Sequence, residues 1–508
     1  MLFRRMFLML AAAVLLVSCA WPSAAENSDA ALILAGFDDT SLRRWEDNRF
    51  FAQMQEWTGL SFSFRQFTKA EEWKRYKAAF SEGGEVPDVL FKASLTQAEC
   101  IALREKGVLI DLKPYLETCA PHLWAILQER PEVMDAITLP DGSIAALPYI
   151  HGLPAQNYIW INRQWLDNLR LEEPTTAEEL REVLTAFKTR DPNRNGQADE
   201  IPLCFLGPFD LKFLAHAFGL ICNDYNVFVE NGQVRFMPLE GNYRQFVSWC
   251  RELYAAGLLD PNGFSQTDSM RQVTDEKKTP VYGAIFATAP TNIFRVPWAD
   301  QYTPLAPLTY EGKRFYRDFF GPVQRGTFAV TSACPSPEAA LRWVDLLYTE
   351  QGAVLASAGK ENVDYFVDGD GTWRLADSAS SNSSMFYANS VMDGGTAMPG
   401  FAAEDFMLRF SGQTDAYRRN YQQSKACQEY AVMPFPYCSL TDAQEKEILA
   451  LQAPIGEYVD VMLGRWILGE EEISDETFAA FEEKLKELGL PEFLAFWQDV
   501  LDQQQGRK

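Results

Sequence analysis

Apolar residues fall first as an unbroken run and then in periods that change along the chain. "ALILAGF", residues 31–37, is a continuous apolar stretch of strand length, and Phe50, Phe51, Met54 and Trp57 follow at helical spacing. In "LSFSFRQF" the period switches to two: Leu60, Phe62 and Phe64 alternate with Ser61, Ser63 and Arg65, which predicts a strand. "KAEEWKRYKAAF" reads as a helix and "PDVLFKA" as a third strand. This βαβαβ order predicts an open α/β sheet, with ligand loops beyond the strands' carboxyl ends at Phe37 to Asp39 and Lys92 to Ser94.

The pattern continues with a helix from Gln97 to Lys106, ended by Gly107, and with two strands in "SIAALPYI" and "NYIWIN". "PTTAEELREVLTAFK" predicts a helix opened by a capping box of Thr176 and Glu179. At its exit stands "DPNRNGQADEIP", which begins like a calcium loop, with Asp191, Asn193 and Asn195 on alternate positions and Gly196 next. Position 12 is Pro202 where the pattern wants a bidentate Glu. Either Glu200 supplies the carboxylate from a shortened loop or the segment is a polar turn. "IPLCFLG" beyond it is strand-like, so the context is helix, loop, strand. Further helices are predicted at Tyr243 to Ala256, at Glu338 to Leu347 and through much of the tail from Asp442, while "DGDGTW" reads as a hairpin turn.

At 508 residues with 47% apolar content the chain is too long for one compact domain, so two lobes are expected. A net charge of -24 repels phosphate backbones and excludes nucleic acid as a natural partner. Arg4 and Arg5 precede "MFLMLAAAVLLVS", a signal-peptide core too short to span a bilayer, so export is predicted. The ending "LVSC" resembles a lipobox that would lipidate Cys19; ordinary cleavage after "SAA" is the rival reading. The eight later cysteines include no CxxC and predict isolated buried thiols, with a Cys427–Cys438 bridge as the alternative. The three histidines allow no standard Cys/His zinc spacing. No Walker A loop, GxGxxG after the first strand, GxSxG elbow or HExxH is present, and no carboxylate pair is singled out for glycosidase chemistry.

Aromatic residues are abundant, several near strand ends, as in "LPYIHGLPAQNYIWIN" and "FRVPWAD". Their flat faces suit the apolar faces of sugar rings, although most must be core. "YIWINRQWLDNLRL", "DPNRNGQADEIPL", "ELYAAGLLDPNGFSQ", "SPEAALRWVDLLYTEQG" and the tail "GEYVDVMLGRWILGE" with "LKELGLPEFLAFWQDVLD" come in an order that resembles the extracellular solute-binding lipoproteins of bacterial ABC importers. The resemblance is to the carbohydrate-binding group that includes LipO-like and alginate-oligosaccharide-binding proteins.

That resemblance implies a two-lobe periplasmic-binding-protein-like α/β fold of type II, hinge-linked, with a helical C-terminal tail. It implies a signal peptide over 1–18, a lipid-anchored linker over 19–30, lobe 1 from 31–154 plus 299–358, and lobe 2 from 155–298 plus 359–508, with crossings near Pro154, Trp298 and Gly359. It implies a structural calcium ion held by Asp191, Asn193, Asn195, the Gln197 carbonyl, Asp199 and Glu200. Sheet topology and the hinge together nominate Phe37, Asp38, Asp39, Lys92, Tyr149, Trp160 and Trp298 for the ligand site. The expected protein is a non-catalytic monomer at the cell surface or in the periplasm, anchored only by lipid, handing an oligosaccharide to transmembrane permease subunits. A receptor for another solute such as a peptide, or a surface carbohydrate-active enzyme, stays open.

Overall fold

The computed structural model describes residues 31–39, 44–80, 82–153, 157–264, 280–292, 298–318, 321, 323–376, 397–401 and 403–506. The expected leader, its Cys19 and the linker up to residue 30 lie outside them. In chain order the strands are β1 Leu32–Phe37, β2 Phe62–Phe67, β3 Val89–Phe91, β4 Leu147–Ile150, β5 Tyr158–Asn162, β6 Ile201–Phe205, β7 Val227–Glu230 and β8 Gln233–Phe236. They continue as β9 Tyr282–Ala287, β10 Tyr302–Pro304, β11 Tyr316–Arg317, β12 Val323–Val330, β13 Tyr365–Val367, β14 Trp373–Leu375, β15 Gly400–Phe401 and β16 Ala431–Val432.

Two α/β sheets organise the chain. The first has six strands in the order β15-β4-β12-β3-β1-β2 and the second four, β10-β5-β9-β6. The opening βαβαβ pattern closes as expected: β1 pairs parallel to both β2 and β3. Gly36 permits that approach, because a Cβ there would lie 1.6 Å from the Phe91 carbonyl oxygen. The fully buried Leu34, Phe91 and Phe328 pack one sheet face under Phe50, Phe51 and Met54 of the helix Arg49–Thr58, and under Trp343 of the helix Pro337–Asp345.

The second lobe is built around buried Ile159, Leu203 and Phe286, onto which the helices Gly241–Ala255 and Asp442–Leu468 pack with Val247, Leu463 and Trp466. The C-terminal helices Asp475–Glu487 and Leu490–Gln505 complete this core through Phe481 and Phe493. The tail is therefore helical, as expected, and belongs to the second lobe. "DGDGTW" forms the β13–β14 hairpin turn, closed by Gly371 N–H donating to the Asp368 carbonyl. The capping box at Thr176 is half formed. Thr176 Oγ1 accepts from Glu179 N–H, but the Glu179 carboxylate accepts from Thr175 N–H at 2.7 Å.

The sheets correct the expected lobe boundaries. β10, placed with the first lobe from sequence, pairs with β5 in the second, and β15, placed with the second, pairs with β4 in the first. The return crossing therefore falls between Arg317 and Val323, after the small β11–β16 ladder. The last crossing is later than Gly359. Phe406 still packs with Tyr365 and Trp373 beside the first sheet, whereas the helix Asp415–Cys427 is tied to β10 by Gln423 and Asn420. Among the described residues no helix is long and apolar enough to cross a membrane. All eight described cysteines are free, so Cys427 and Cys438 are not bridged.

Candidate functional site

Strand direction defines where a ligand can sit. In the first sheet β1, β2, β3, β4 and β15 run the same way, so Phe37, Phe91 and Ile150 end on one edge, where antiparallel β12 begins at Val323. In the second sheet β6, β9 and β10 run together and β5 opposes them, so Phe205, Ala287 and Pro304 end where Tyr158 begins. The chain leaves the first sheet at Ile150 and enters the second at Tyr158, so these two carboxyl edges are joined by the hinge. Ligands of open α/β sheets sit beyond such carboxyl edges.

On the first wall, Asp38 and Lys92 do not meet solvent. Both are fully buried, and Lys92 Nζ donates to Asp38 Oδ2 at 3.3 Å, with Trp45 Nε1 at 3.5 Å from the same oxygen. Lys92 adopts φ 53°, the left-handed region, which turns the chain sharply at the strand end. The pair braces the strand ends. Asp39, next in the chain, is exposed. Phe37 is half-buried on the Trp73 and Phe80 cluster. Tyr149 is half-buried, its ring 5.5 Å from that of His151, whose imidazole is held below its ordinary pKa by burial and then by Arg130.

On the second wall, Trp160 is core: it is buried and donates Nε1–H to the Ala287 carbonyl at 3.0 Å. Trp298 is half-buried against the same face of the second sheet, ahead of the amino end of β10 and so off the carboxyl edge. Other residues stand on the edge itself. Asn157 Nδ2 donates to Asp210 Oδ1 at 2.9 Å, and the exposed ring of Phe209 lies 4.2 Å from Lys212 Nζ. Lys212 is buried and donates to the Asp224 carbonyl, with burial lowering its pKa. At the hinge, the Tyr421 hydroxyl donates to the Glu404 carboxylate, which presses against Gly152 so closely that a Cβ there would meet it at 2.2 Å. Burial first, and then the Glu404 hydrogen bond and charge, push the Tyr421 phenol up.

Periodicity missed Asn157, Phe209, Asp210, Glu404 and Tyr421. Only Phe209 and Asp210 carried a signal, directly after the strand-ending "FLGP". The Glu404–Tyr421 pair is made by two elements folding back at the last crossing.

The loop from Asp191 to Glu200 winds as a nest of side chain to backbone hydrogen bonds. Asp191 accepts from Asn195 and Gly196 N–H, and Asn195 Oδ1 accepts from Gln197 N–H at 2.7 Å. Asp199 Oδ1 accepts from both Asn193 and Asn195 amides. Glu200 is buried with Oε1 lacking any hydrogen-bond partner. Its carboxyl is held above the usual range by burial, with Asp199 and Asp191 adding to the rise. An orphaned acidic oxygen beside two further carboxylates and two amides fits a hard cation. No three His, Cys, Asp or Glu side chains among the described residues converge on a metal-holding point by themselves, so the Asn and carbonyl oxygens would have to complete the shell.

No family model matches the chain. Over 475 residues it is 26% identical to the fructooligosaccharide ABC transporter substrate-binding protein FusA of Streptococcus pneumoniae, covering 86% of this chain and 85% of that one. The chain is thus similar over most of its length to a substrate-binding protein of an ABC importer. Solved structures share its fold. FusA in complex with kestose matches with a TM-score of 0.67 at 24% identity, covering 94% of this chain and all of that one. An HMO-binding ABC-transporter-associated protein from Bifidobacterium longum infantis matches with 0.74 at 22% identity, covering 93% and 99%. The alginate-binding protein AlgQ2 without calcium ion matches with 0.62 at 21% identity, covering 93% and 98%.

Proposed function

We propose that this chain is a solute-binding protein that captures a neutral oligosaccharide between its two carboxyl edges and delivers it to the transmembrane subunits of an ABC importer, with no chemistry of its own. The observation that carries the reading is the sequence similarity, over 86% of the chain, to FusA, whose name specifies fructooligosaccharide. The site chemistry supports it. Exposed Phe209 offers a stacking face, and Asn157, Asp210 and Asp39 offer donors and acceptors for hydroxyls. A net charge of -24 favours a neutral solute over a polyanionic one. Closure would then be a population shift driven by contacts made only when both edges touch the sugar.

The proposed structural calcium ion is held by Asp191, Asn193, Asn195, the Gln197 carbonyl, Asp199 and Glu200. The orphaned Glu200 oxygen supports this, as do an EF-hand mutant of FusA and a calcium-free AlgQ2 among the fold relatives. The ion would neutralise the acidic cluster and fix the helix exit to β6. Cys19 is proposed as the lipid anchor of an exported chain. Titration calorimetry with kestose and other neutral oligosaccharides, followed by chromatography of the mixture, tests the main reading. Saturable heat with intact sugar is expected. Shortened products, or silence with neutral sugars beside binding of a peptide, would replace it.

A further inference from the structure

Phe209, 40% exposed, sits on the short helix Pro208–Leu211 just beyond the carboxyl end of β6, where an aromatic side chain with nothing behind it would be free to turn. Behind it the structure builds a cluster of alternating rings and cations. Lys212 Nζ lies 4.2 Å from the centroid of the Phe209 ring and 5.1 Å from that of Phe213, and the two rings meet edge to face at 5.5 Å. The Phe213 ring also takes Arg317, whose Cζ is 3.5 Å from its centroid. Arg317 in turn pairs with Asp224 Oδ1 at 2.6 Å, and the Asp224 carbonyl accepts from Lys212 Nζ at 2.9 Å. The circuit therefore closes on itself, and Arg317 anchors it at the end of β11, immediately before the return crossing.

An ammonium this deep needs a reason. Lys212 is 1% exposed, so it cannot touch a solute; its hydrogen bond is to a carbonyl, and Asp460 and Asp224 act on it only at longer range. A charge buried in this way costs more than an apolar side chain of the same length, which would fill the space under the ring without any desolvation. Aromatic faces carry negative potential and offset part of that cost, most strongly where water is excluded. The attraction is mutual: the ammonium that the two rings stabilise also restrains the rings. We infer that Lys212 is a positioning residue of the ligand site, holding the Phe209 ring in one orientation before the solute arrives; this rests on the proposed stacking of Phe209 on the sugar. A side chain ordered in advance loses no rotamer freedom on binding, which is worth roughly two- to tenfold in affinity.

The test uses the full mature chain with para-fluorophenylalanine incorporated at position 209 alone, so that a single fluorine NMR signal reports that ring. Without sugar, the signal is expected well away from its position in the urea-unfolded chain, and Lys212→Met should move it toward that position while the melt stays cooperative. Lys212→Gln keeps a donor for the Asp224 carbonyl but loses the charge; it should act as Lys212→Met does, and it carries the test if the Met variant does not fold. Kestose calorimetry reads the consequence. Losing the charge should weaken binding about fivefold when Phe209 is present and have no further effect in Phe209→Ala. Absence of kestose binding in wild type would overturn the cleft reading, whereas the fluorine signal decides the hold of Lys212 on Phe209 whatever the solute. A wild-type signal already at the unfolded position, or an unchanged signal in the Lys212 variants, would overturn the inference. So would an equal loss of kestose affinity with and without Phe209, which would make Lys212 a support of the lobe as a whole.

Discussion

Replacing Lys92 by Met separates a residue that braces the cleft from one that touches the ligand. The perturbation leaves Asp38 fully buried and removes the ammonium 3.3 Å away. At an effective dielectric near 20, two charges at that separation attract by about 5 kcal/mol. Part of that is offset, because the lysine no longer has to be desolvated and Trp45 Nε1 remains near the carboxylate. Breaking one half of a buried pair costs about 3 to 5 kcal/mol, and the lower half of that range is expected here. Denaturant unfolding of wild type, Lys92→Met, Asp38→Asn and the double variant gives the coupling directly. The double variant should recover more than half of the single loss, since no charge is then stranded. Kestose calorimetry runs beside it at a temperature where Lys92→Met is folded, and binding should weaken less than tenfold. A Lys92→Met protein of unchanged stability that had lost sugar binding would refute the reasoning and return Lys92 to the ligand.

Three further outcomes are expected. Burial lowers His216 from 6.5 to about 4, so the unfolded state takes its proton first as pH falls; stability is intact above pH 6.5, declines between 6.5 and 4, and loses about 3 kcal/mol that His216→Phe does not lose, as pH-resolved urea melts will show. Chelation of calcium should lower the melting temperature, by the equivalent of about 2.7 kcal/mol if the ion stands at a hundredfold excess over its dissociation constant; Asp191→Ala should abolish that response, and an identical melt with and without chelator would make the loop a metal-free turn. Trp160→Ala should cost about 3 to 5 kcal/mol of stability, because its indole is core and satisfied by the Ala287 carbonyl; a stable variant with weakened sugar affinity would instead place Trp160 in the cleft.

Local pattern was enough for the elements whose code is short-range. The opening βαβαβ unit, the helix before the acidic loop and the "DGDGTW" hairpin were all legible, because periodicity, caps and turn residues act over a few positions. Strand direction in the opening unit was legible too, since it follows from chain order in a parallel unit. Which residues there face a ligand was not legible. Asp38 and Lys92 look like ideal hydroxyl partners in sequence, yet they lie 54 positions apart and bury one another once β1 and β3 pair. Trp160 alternates along β5 as a cleft residue would, and only packing on β9 shows its N–H already satisfied. The later lobe crossings failed for the same reason: β10 and β15 have three and two residues, too short for a periodic signature, and long-range pairing alone chooses their sheet. The Glu404–Tyr421 contact is likewise a product of packing between elements, where a side chain's partner is set by three-dimensional approach and not by its neighbours in the chain.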